Sequence, residues 1–241
     1  MRKLYVERPL TPGEKLVVGG SDGRHLARVL RAGVGDTLTV CAMGTEFSCT
    51  VTAVTRETVT VSVGEGRPAG GEPGVSVTLC VGLPKAEKLE HVVQKGVELG
   101  ADRILPFAAE RSVVRDGGSP AKALRRAKIA AEAAKQCGRG RVPEVCPATD
   151  FTSAAAEAKN ADLALLCYEL GGRPLSEVLR EHPDARRIAV MTGPEGGISA
   201  AEFEQAAAAG WIPVTLGSRI LRCETAPLAA LTAILYEYGE F

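Results

Sequence analysis

The chain has 241 residues, 45% of them apolar and 24% charged, with 29 Lys/Arg against 29 Asp/Glu. That is ordinary for a soluble globular protein and leaves material for one large domain or two small ones. The start, MRKLYVERPL, carries no apolar signal-type run and no apolar stretch approaches bilayer length. A cytoplasmic protein with no membrane partner is therefore expected.

Seven cysteines (41, 49, 80, 137, 146, 167, 223) form no C-x-x-C pair, and the three histidines are widely spaced. No metal site is expected, and the thiols read as small buried hydrophobes. The zero net charge hides an asymmetry. Between Arg111 and Arg141 there are nine Lys/Arg (111, 115, 122, 125, 126, 128, 135, 139 and 141) against Asp116 and Glu132, a local net of +7. Such density is either a solvated helix face or a footprint for a polyanion.

In chain order, residues 1–70 read as a small antiparallel β-barrel. DTLTVCAM, EFSCTVTAVT and TVTVSV alternate, putting Leu38, Val40 and Ala42, then Phe47, Cys49, Val51 and Ala53, then Val59, Val61 and Val63 on one face. RHLARVLR breaks the pattern, with Leu26, Val29 and Leu30 on one helical face and Arg24, Arg28 and Arg31 on another. GEGRPAGGEPG, residues 64–74, opens like a dinucleotide fingerprint, but Pro68, Gly70, Gly71 and Pro73 forbid the helix that the fingerprint needs. It is expected to be the interdomain linker.

Residues 71–241 change period. Apolar runs VTLCVGL, RILPF, ADLALLCY, RRIAVMTG and WIPVTLG alternate with helical patterns at Leu89 to Val97, 119–136, 200–209 and 227–238. This predicts a mostly parallel α/β sheet with helices on both sides. Ligands of such sheets sit off the carboxyl ends of strands. Two loops follow strands in that way: TGPEGGIS (Thr192 to Ser199) and LGSRILRCETAP (Leu216 to Pro227). Gly193, Gly196, Gly197 and Gly217 let backbone approach a flat ring, and Ile220 and Leu221 add an apolar wall. Arg222, Glu224 and Thr225 supply polar groups, Thr225 also being placed to cap a last helix with Pro227 in its first turn. Glu195 argues against a phosphate cradle, because a carboxylate repels polyphosphate and tolerates cations. An adenosine joined to a positive sulfonium suits these loops better than a nucleoside triphosphate.

GPEGG followed by LGSRILRCETAPLAAL resembles the cofactor motifs of SPOUT-class methyltransferases, specifically the bacterial 16S ribosomal RNA uridine-N3 methyltransferase family. HLARVLRAGVGD is similar to that family's PUA-like amino-terminal domain, and LPKAEKLEHVVQKGVELGADRILPFAAERSV and RRAKIAAEAAKQCGRGRVPEV to two further blocks. The resemblance implies a trefoil-knotted α/β domain, a homodimer, S-adenosylmethionine as cofactor and 16S RNA of the small ribosomal subunit as substrate. It implies cofactor contacts from Leu166, Thr192, Gly193, Pro194, Glu195, Gly196, Gly197, Leu216, Gly217, Ser218, Ile220, Leu221, Arg222 and Thr225. The apolar face of the last helix (Leu228, Leu231, Ile234, Leu235) fits either a dimer contact or a core.

For methyl transfer to uracil N3, Arg222 is the candidate cation beside the developing uridinate, or else it binds a phosphate or pairs with Glu195 or Glu224. Glu195 is a candidate catalytic carboxylate, as is Glu224, though either could instead hold a ligand or a backbone amide. Candidate RNA contacts are Arg2, Arg24, Arg28, Arg31, Lys85, Lys88, Lys95, Arg111, Arg126 and Arg139. Competing readings are a ribose 2'-O methyltransferase, whose early N-x-G-x-x-x-R block is missing here, and a noncatalytic RNA-binding or ribosome-assembly protein, which would have no use for the glycine loops.

Overall fold

The computed structural model describes residues 3–85, 87–113 and 119–241, so Arg2, Arg115 and Asp116 lie outside the described residues. Two compact units divide it: Met1–Glu72 with Ala134–Val142, and Pro73–Ala133 with Pro143–Phe241. The chain passes from one to the other at Glu72/Pro73, and residues 134–142 also group with the first unit.

The first unit contains β1 (Lys3–Val6), β2 (Lys15–Val18), α1 (Gly20–Arg24), a π-helical turn (His25–Val29), β3 (Thr37–Ala42), β4 (Thr45–Val54) and β5 (Val59–Pro68). They form one five-stranded sheet in the order β1-β3-β4-β5-β2, antiparallel except for the parallel β1/β3 pair. Alternation buries Leu38, Val40, Phe47, Cys49, Val51, Val59, Val61 and Val63 in one cluster, closed by Leu26. Two positions depart from the expected pattern. Ala53 is exposed because the β4/β5 register shifts after Val51, and such a bulge turns the following residues to the other face. Val29 is 66% exposed because Leu30 N–H donates to His25 O, an i to i+5 bond that carries Val29 off the α-helical face.

The expected linker begins as strand over residues 64–68, while residues 69–74 are irregular and carry the boundary between the units, Glu72/Pro73. β5 runs to Pro68, with Phe47 opposite Gly66 and Thr45 opposite Pro68. Segment 138–142 is fastened to this unit through Glu72, which accepts from Arg139 Nη2 (2.6 Å), Gly140 N (2.8 Å) and Arg141 Nε (3.1 Å).

The second unit comprises β6 (Ser76–Gly82), α2 (Lys88–Leu99), β7 (Arg103–Ala108), α3 (Pro120–Cys137, whose residues from 134 onward group with the first unit), β8 (Glu144–Val145), β9 (Thr149–Asp150), α4 (Phe151–Ala155), β10 (Leu163–Cys167), β11 (Arg173–Pro174), α5 (Leu175–Glu181), β12 (Arg187–Thr192), α6 (Ala200–Ala208), β13 (Ile212–Thr215) and α7 (Ala226–Glu237). The sheet runs β11-β13-β10-β12-β6-β7-β8, with β9 also on β7, and every pair is parallel. One face carries Cys80, Phe107, Leu166 and Met191 against Phe151, Ala154, Ala206 and Trp211 of the α4/α6 side. On the other face Gly96 of α2 lies over Leu79 and Ile104, while α7 packs on α2, β6 and β12. Leu231, Ile234 and Leu235 are fully buried there. Three of the four apolar positions expected on α7 are thus core, and Leu228 is half-buried. Helix ends follow local chemistry: Gly100, at φ +109°, closes α2, and a Ser199/Glu202 capping box opens α6 where the glycine loop ends.

Candidate functional site

A pocket of about 330 Å³ lies off the carboxyl ends of β10, β12 and β13, between the first residue of α2 and the start of α7. Its walls are the two loops singled out in the sequence. Gly82, at the end of β6, permits the close approach beneath them, since a Cβ there would stand 2.6 Å from Pro194 N and Cδ. Gly197 has φ +70° and Gly217 φ +99°, conformations in which a side chain is strained. Behind the loops, Arg222 O accepts from Thr225 N (2.8 Å) and Ala226 N (2.9 Å), so the backbone of Arg222 starts α7. Thr225 makes no side-chain cap.

Three charged groups join these walls. Lys88 Nζ donates to Glu195 Oε1 at 2.9 Å and pairs with Glu224 Oε2 at 3.2 Å, and Lys85 N donates to Glu195 Oε1 at 3.2 Å. Burial pushes the Glu195 carboxyl up, but hydrogen bonds from Lys88 and from backbone N–H groups outweigh it and hold it down at about 2. Glu224 is lowered by its backbone hydrogen bond, with help from Cys223 and Lys88. Lys88 is raised, chiefly by Glu195. Cys223 and Cys167 are both pushed up to about 12, the first by burial and its bond to Glu224, the second by burial. Neither thiol is a nucleophile at neutral pH. Thr192 Oγ1 is the opposite case: on a residue 1% exposed, it has no hydrogen-bond partner among the described residues.

Thr192, Gly193, Pro194, Glu195, Gly197, Leu216, Gly217, Ser218, Ile220, Leu221 and Arg222 line the pocket. Three predicted contacts do not. Leu166 points into the core with Met191 and Trp211, because its neighbour Cys167 takes the position at the strand end. Gly196 lies against Arg111, which donates to its carbonyl at 3.3 Å, and Thr225 faces out. The Arg222 side chain is exposed on the pocket wall, with no hydrogen bond or ion pair to another described residue. Lys88, expected as an RNA contact, also lines the pocket, as do Cys167, Tyr168, Glu169 and Arg219, for which the sequence suggests no such role. ADLALLCY reads as a strand in the sequence, and the strand-end rule applied to it points to Cys167, Tyr168 and Glu169.

A profile of the RNA methyltransferase domain matches residues 72–235, and one of the RNA methyltransferase PUA domain matches residues 18–64. Ribosomal RNA small subunit methyltransferase E of Bacillus subtilis is 36% identical, the alignment covering 98% of this chain and 97% of that one. The chain belongs to the ribosomal RNA small subunit methyltransferase E family. Among solved structures, a family member from Neisseria gonorrhoeae bound to S-adenosyl methionine is similar, with 29% identity, a TM-score of 0.85, and 98% and 97% of the two chains covered. A Legionella pneumophila protein described as a methyltransferase with bound cofactor SAM has 29% identity, a TM-score of 0.83, and 97% and 96% coverage.

Within this family member the basic candidates separate into groups. Arg24 and Arg28 are exposed and both pair with Glu57, and Arg31 is exposed. Lys85 and Arg111 are exposed in the second unit, and Lys95 pairs with Glu98 at 2.8 Å. Arg126 and Arg139 are corrections to the surface reading. They are 8% and 2% exposed, and Arg139 is neutralised by Glu72, so neither offers a free cation to a polyanion. Lys88 is committed to the two pocket carboxylates.

Proposed function

We propose that the chain transfers a methyl group from S-adenosylmethionine to N3 of a uridine in 16S ribosomal RNA of the small subunit. Family membership supports RNA methylation, and the observation that carries the cofactor is the Thr192 hydroxyl. A walled-in hydroxyl without a partner is costly unless a ligand completes it, and the backbone around it is nearly bare. Bound there, S-adenosylmethionine supplies an electrophilic methyl group on a positive sulfonium. Thr192 offers its hydroxyl, the backbone at Gly193, Gly197 and Gly217 offers amides and carbonyls to a flat ring, and Leu216, Ile220 and Leu221 cover it.

The base must be exposed before its N3 can be reached. Arg222, with an uncommitted guanidinium on the pocket wall, is the group we assign to stabilise the uridinate oxygens. Glu195 is assigned no proton. At a pKa of about 2 its carboxylate is too weak a base to help remove one at neutral pH, and its work is to hold the loop.

Arg24, Arg28, Arg31, Lys85 and Arg111 are the proposed RNA contacts, read through phosphates and shape. A trefoil knot is supported by the chain path: β13 lies outside β10, yet α7 returns to pack on β6 and β12. A homodimer is supported by Leu170 and Tyr236, apolar side chains that stand exposed in the second unit. A cytoplasmic site of action fits a ribosomal RNA substrate. Among the described residues no helix is long and apolar enough to cross a membrane.

The test supplies small subunits lacking the modification together with labelled S-adenosylmethionine, and maps the methylated base by mass spectrometry. Methyl at uracil N3 is expected; methyl on a ribose or another base rejects the assignment. Neutralising Arg24, Arg28 and Arg31 together should weaken RNA binding and flatten its salt dependence, and unchanged values remove them from the footprint.

A further inference from the structure

Lys88 stands where sequence reasoning put an RNA contact, but its ammonium turns into the protein. It is the first residue of α2, and it reaches Glu195 in the loop after β12, Glu224 in the loop after β13, and Cys223 Sγ at 3.7 Å. The three charged side chains are each between 22% and 29% exposed, shielded enough to hold geometry yet still in touch with solvent. Both loops line the pocket, and so do Lys88, Glu195 and Cys223 themselves. Two carboxylates against one ammonium leave this three-residue cluster with one net negative charge, while Glu169, Arg219 and Arg222 elsewhere on the pocket wall sum to one positive charge. Removing the ammonium leaves two like charges facing each other across the seam between the loops.

We propose that Lys88 is a positioning residue of the methyl-donor pocket: it ties Glu195 of one loop to Glu224 of the other and leaves a single negative charge that favours a cationic sulfonium over its neutral thioether product. The inference rests on the S-adenosylmethionine reading of this pocket. It gives the carboxylate that spoiled a phosphate cradle a definite task. Substrate carries a positive sulfonium and product does not, so the cluster discriminates between them and assists exchange after transfer. A residue that merely stiffened the fold would weaken both ligands alike.

Calorimetric binding of S-adenosylmethionine and S-adenosylhomocysteine is compared in the full-length wild type, Lys88→Met, Lys88→Arg, Glu195→Gln and the Lys88→Met/Glu195→Gln double variant. Lys88→Met should weaken S-adenosylmethionine roughly tenfold, the scale of two partly exposed ion pairs lost together, and Lys88→Arg should restore most of it. Preference for S-adenosylmethionine over S-adenosylhomocysteine should rise roughly threefold in Lys88→Met and fall by a similar factor in Glu195→Gln, as single charges near a cation do at an intermediate dielectric. In the double variant the effects should be non-additive, because the two residues act as one unit. Equal binding by wild type and Lys88→Met, additive losses, an unmoved preference, or a loss confined to RNA affinity each overturns the role of Lys88. Wild-type protein that binds no S-adenosylmethionine overturns the functional reading itself, and the role of Lys88 with it.

Discussion

Two glycine-rich stretches, 64–74 and 193–197, look alike in sequence and do opposite work. In the first, a Cβ on Gly64 would stand 2.2 Å from Ser48 O and one on Gly66 2.7 Å from the Phe47 ring, so these glycines clear space for the partner strand of a hairpin. In the second, a Cβ on Gly193 would stand 3.0 Å from Gly197 C, and Gly197 has φ +70°, so the chain folds back on itself beside an unpartnered Thr192 hydroxyl. Glycine content therefore does not distinguish a packed hairpin from a binding loop. Position does: Gly64 and Gly66 lie within β5, paired to β4, whereas the second stretch follows the carboxyl end of a parallel strand at the middle of the sheet.

The comparison breaks most sharply if both stretches prove to serve stability alone. Gly64→Ala forces β4 and β5 apart at a backbone oxygen and should cost about 1–3 kcal/mol in thermal or denaturant unfolding, the usual scale of overpacking. S-adenosylmethionine affinity should stay within about twofold, since Gly64 packs on Ser48 of its own unit and lines no part of the pocket. Gly82→Ala places its Cβ against Pro194 N, which is backbone and yields little. It should lower S-adenosylmethionine affinity by at least roughly tenfold, the scale of a displaced binding loop. If Gly64→Ala lost the cofactor, or Gly82→Ala kept it, the division of labour would be wrong.

A smaller effect sharpens the same contrast at one atom. Thr192→Val keeps shape and removes a hydroxyl that has no partner among the described residues. Removing such a group should leave the free protein equally stable or slightly more so, while binding falls by about fivefold, the worth of one neutral hydrogen bond. Thermal shift measured with and without S-adenosylmethionine reads both quantities in one experiment. Loss of stability in the free protein would mean that the hydroxyl already has a partner and is not waiting for one.

What the sequence disclosed depended on periodicity surviving intact. Strands β3 to β5 and β6, β7, β10, β12 and β13 were legible because each alternates or runs apolar between turns. Val29 and Ala53 were misplaced where one extra residue enters a helical turn or a strand, an event that no period reports. The pocket loops were legible through glycines after strands, but the role of Lys88 was not. A lysine opening an amphipathic helix has the same sequence signature whether it faces solvent or two carboxylates more than a hundred residues away. Arg139 reads as a surface charge for the same reason, because its partner Glu72 lies 67 residues back along the chain. Long-range charge pairing is a property of the fold.

The smallest expected effect concerns pH and decides whether Glu195 is a base or a strut. Its folded-state pKa, about 2, lies below the ordinary 4.5, so the stabilisation it brings is complete above the ordinary value and is lost as pH falls toward 2. Lys88 is raised above the usual lysine value, so its contribution is present throughout the neutral range and is lost only as pH rises past its folded value. Between these limits the Glu195–Lys88 tie does not change. S-adenosylmethionine affinity of wild type and Glu195→Gln should therefore run parallel from about pH 5.5 to about pH 9, offset by a constant factor. The kcat/KM profiles should share any neutral inflection, which then belongs to another group or to the substrate. A neutral inflection present in wild type and missing from Glu195→Gln would make Glu195 the proton acceptor, with a carboxyl raised into the neutral range when RNA arrives. The charge pairing argues against this, because Lys88 would have to release a hydrogen bond that it holds at 2.9 Å.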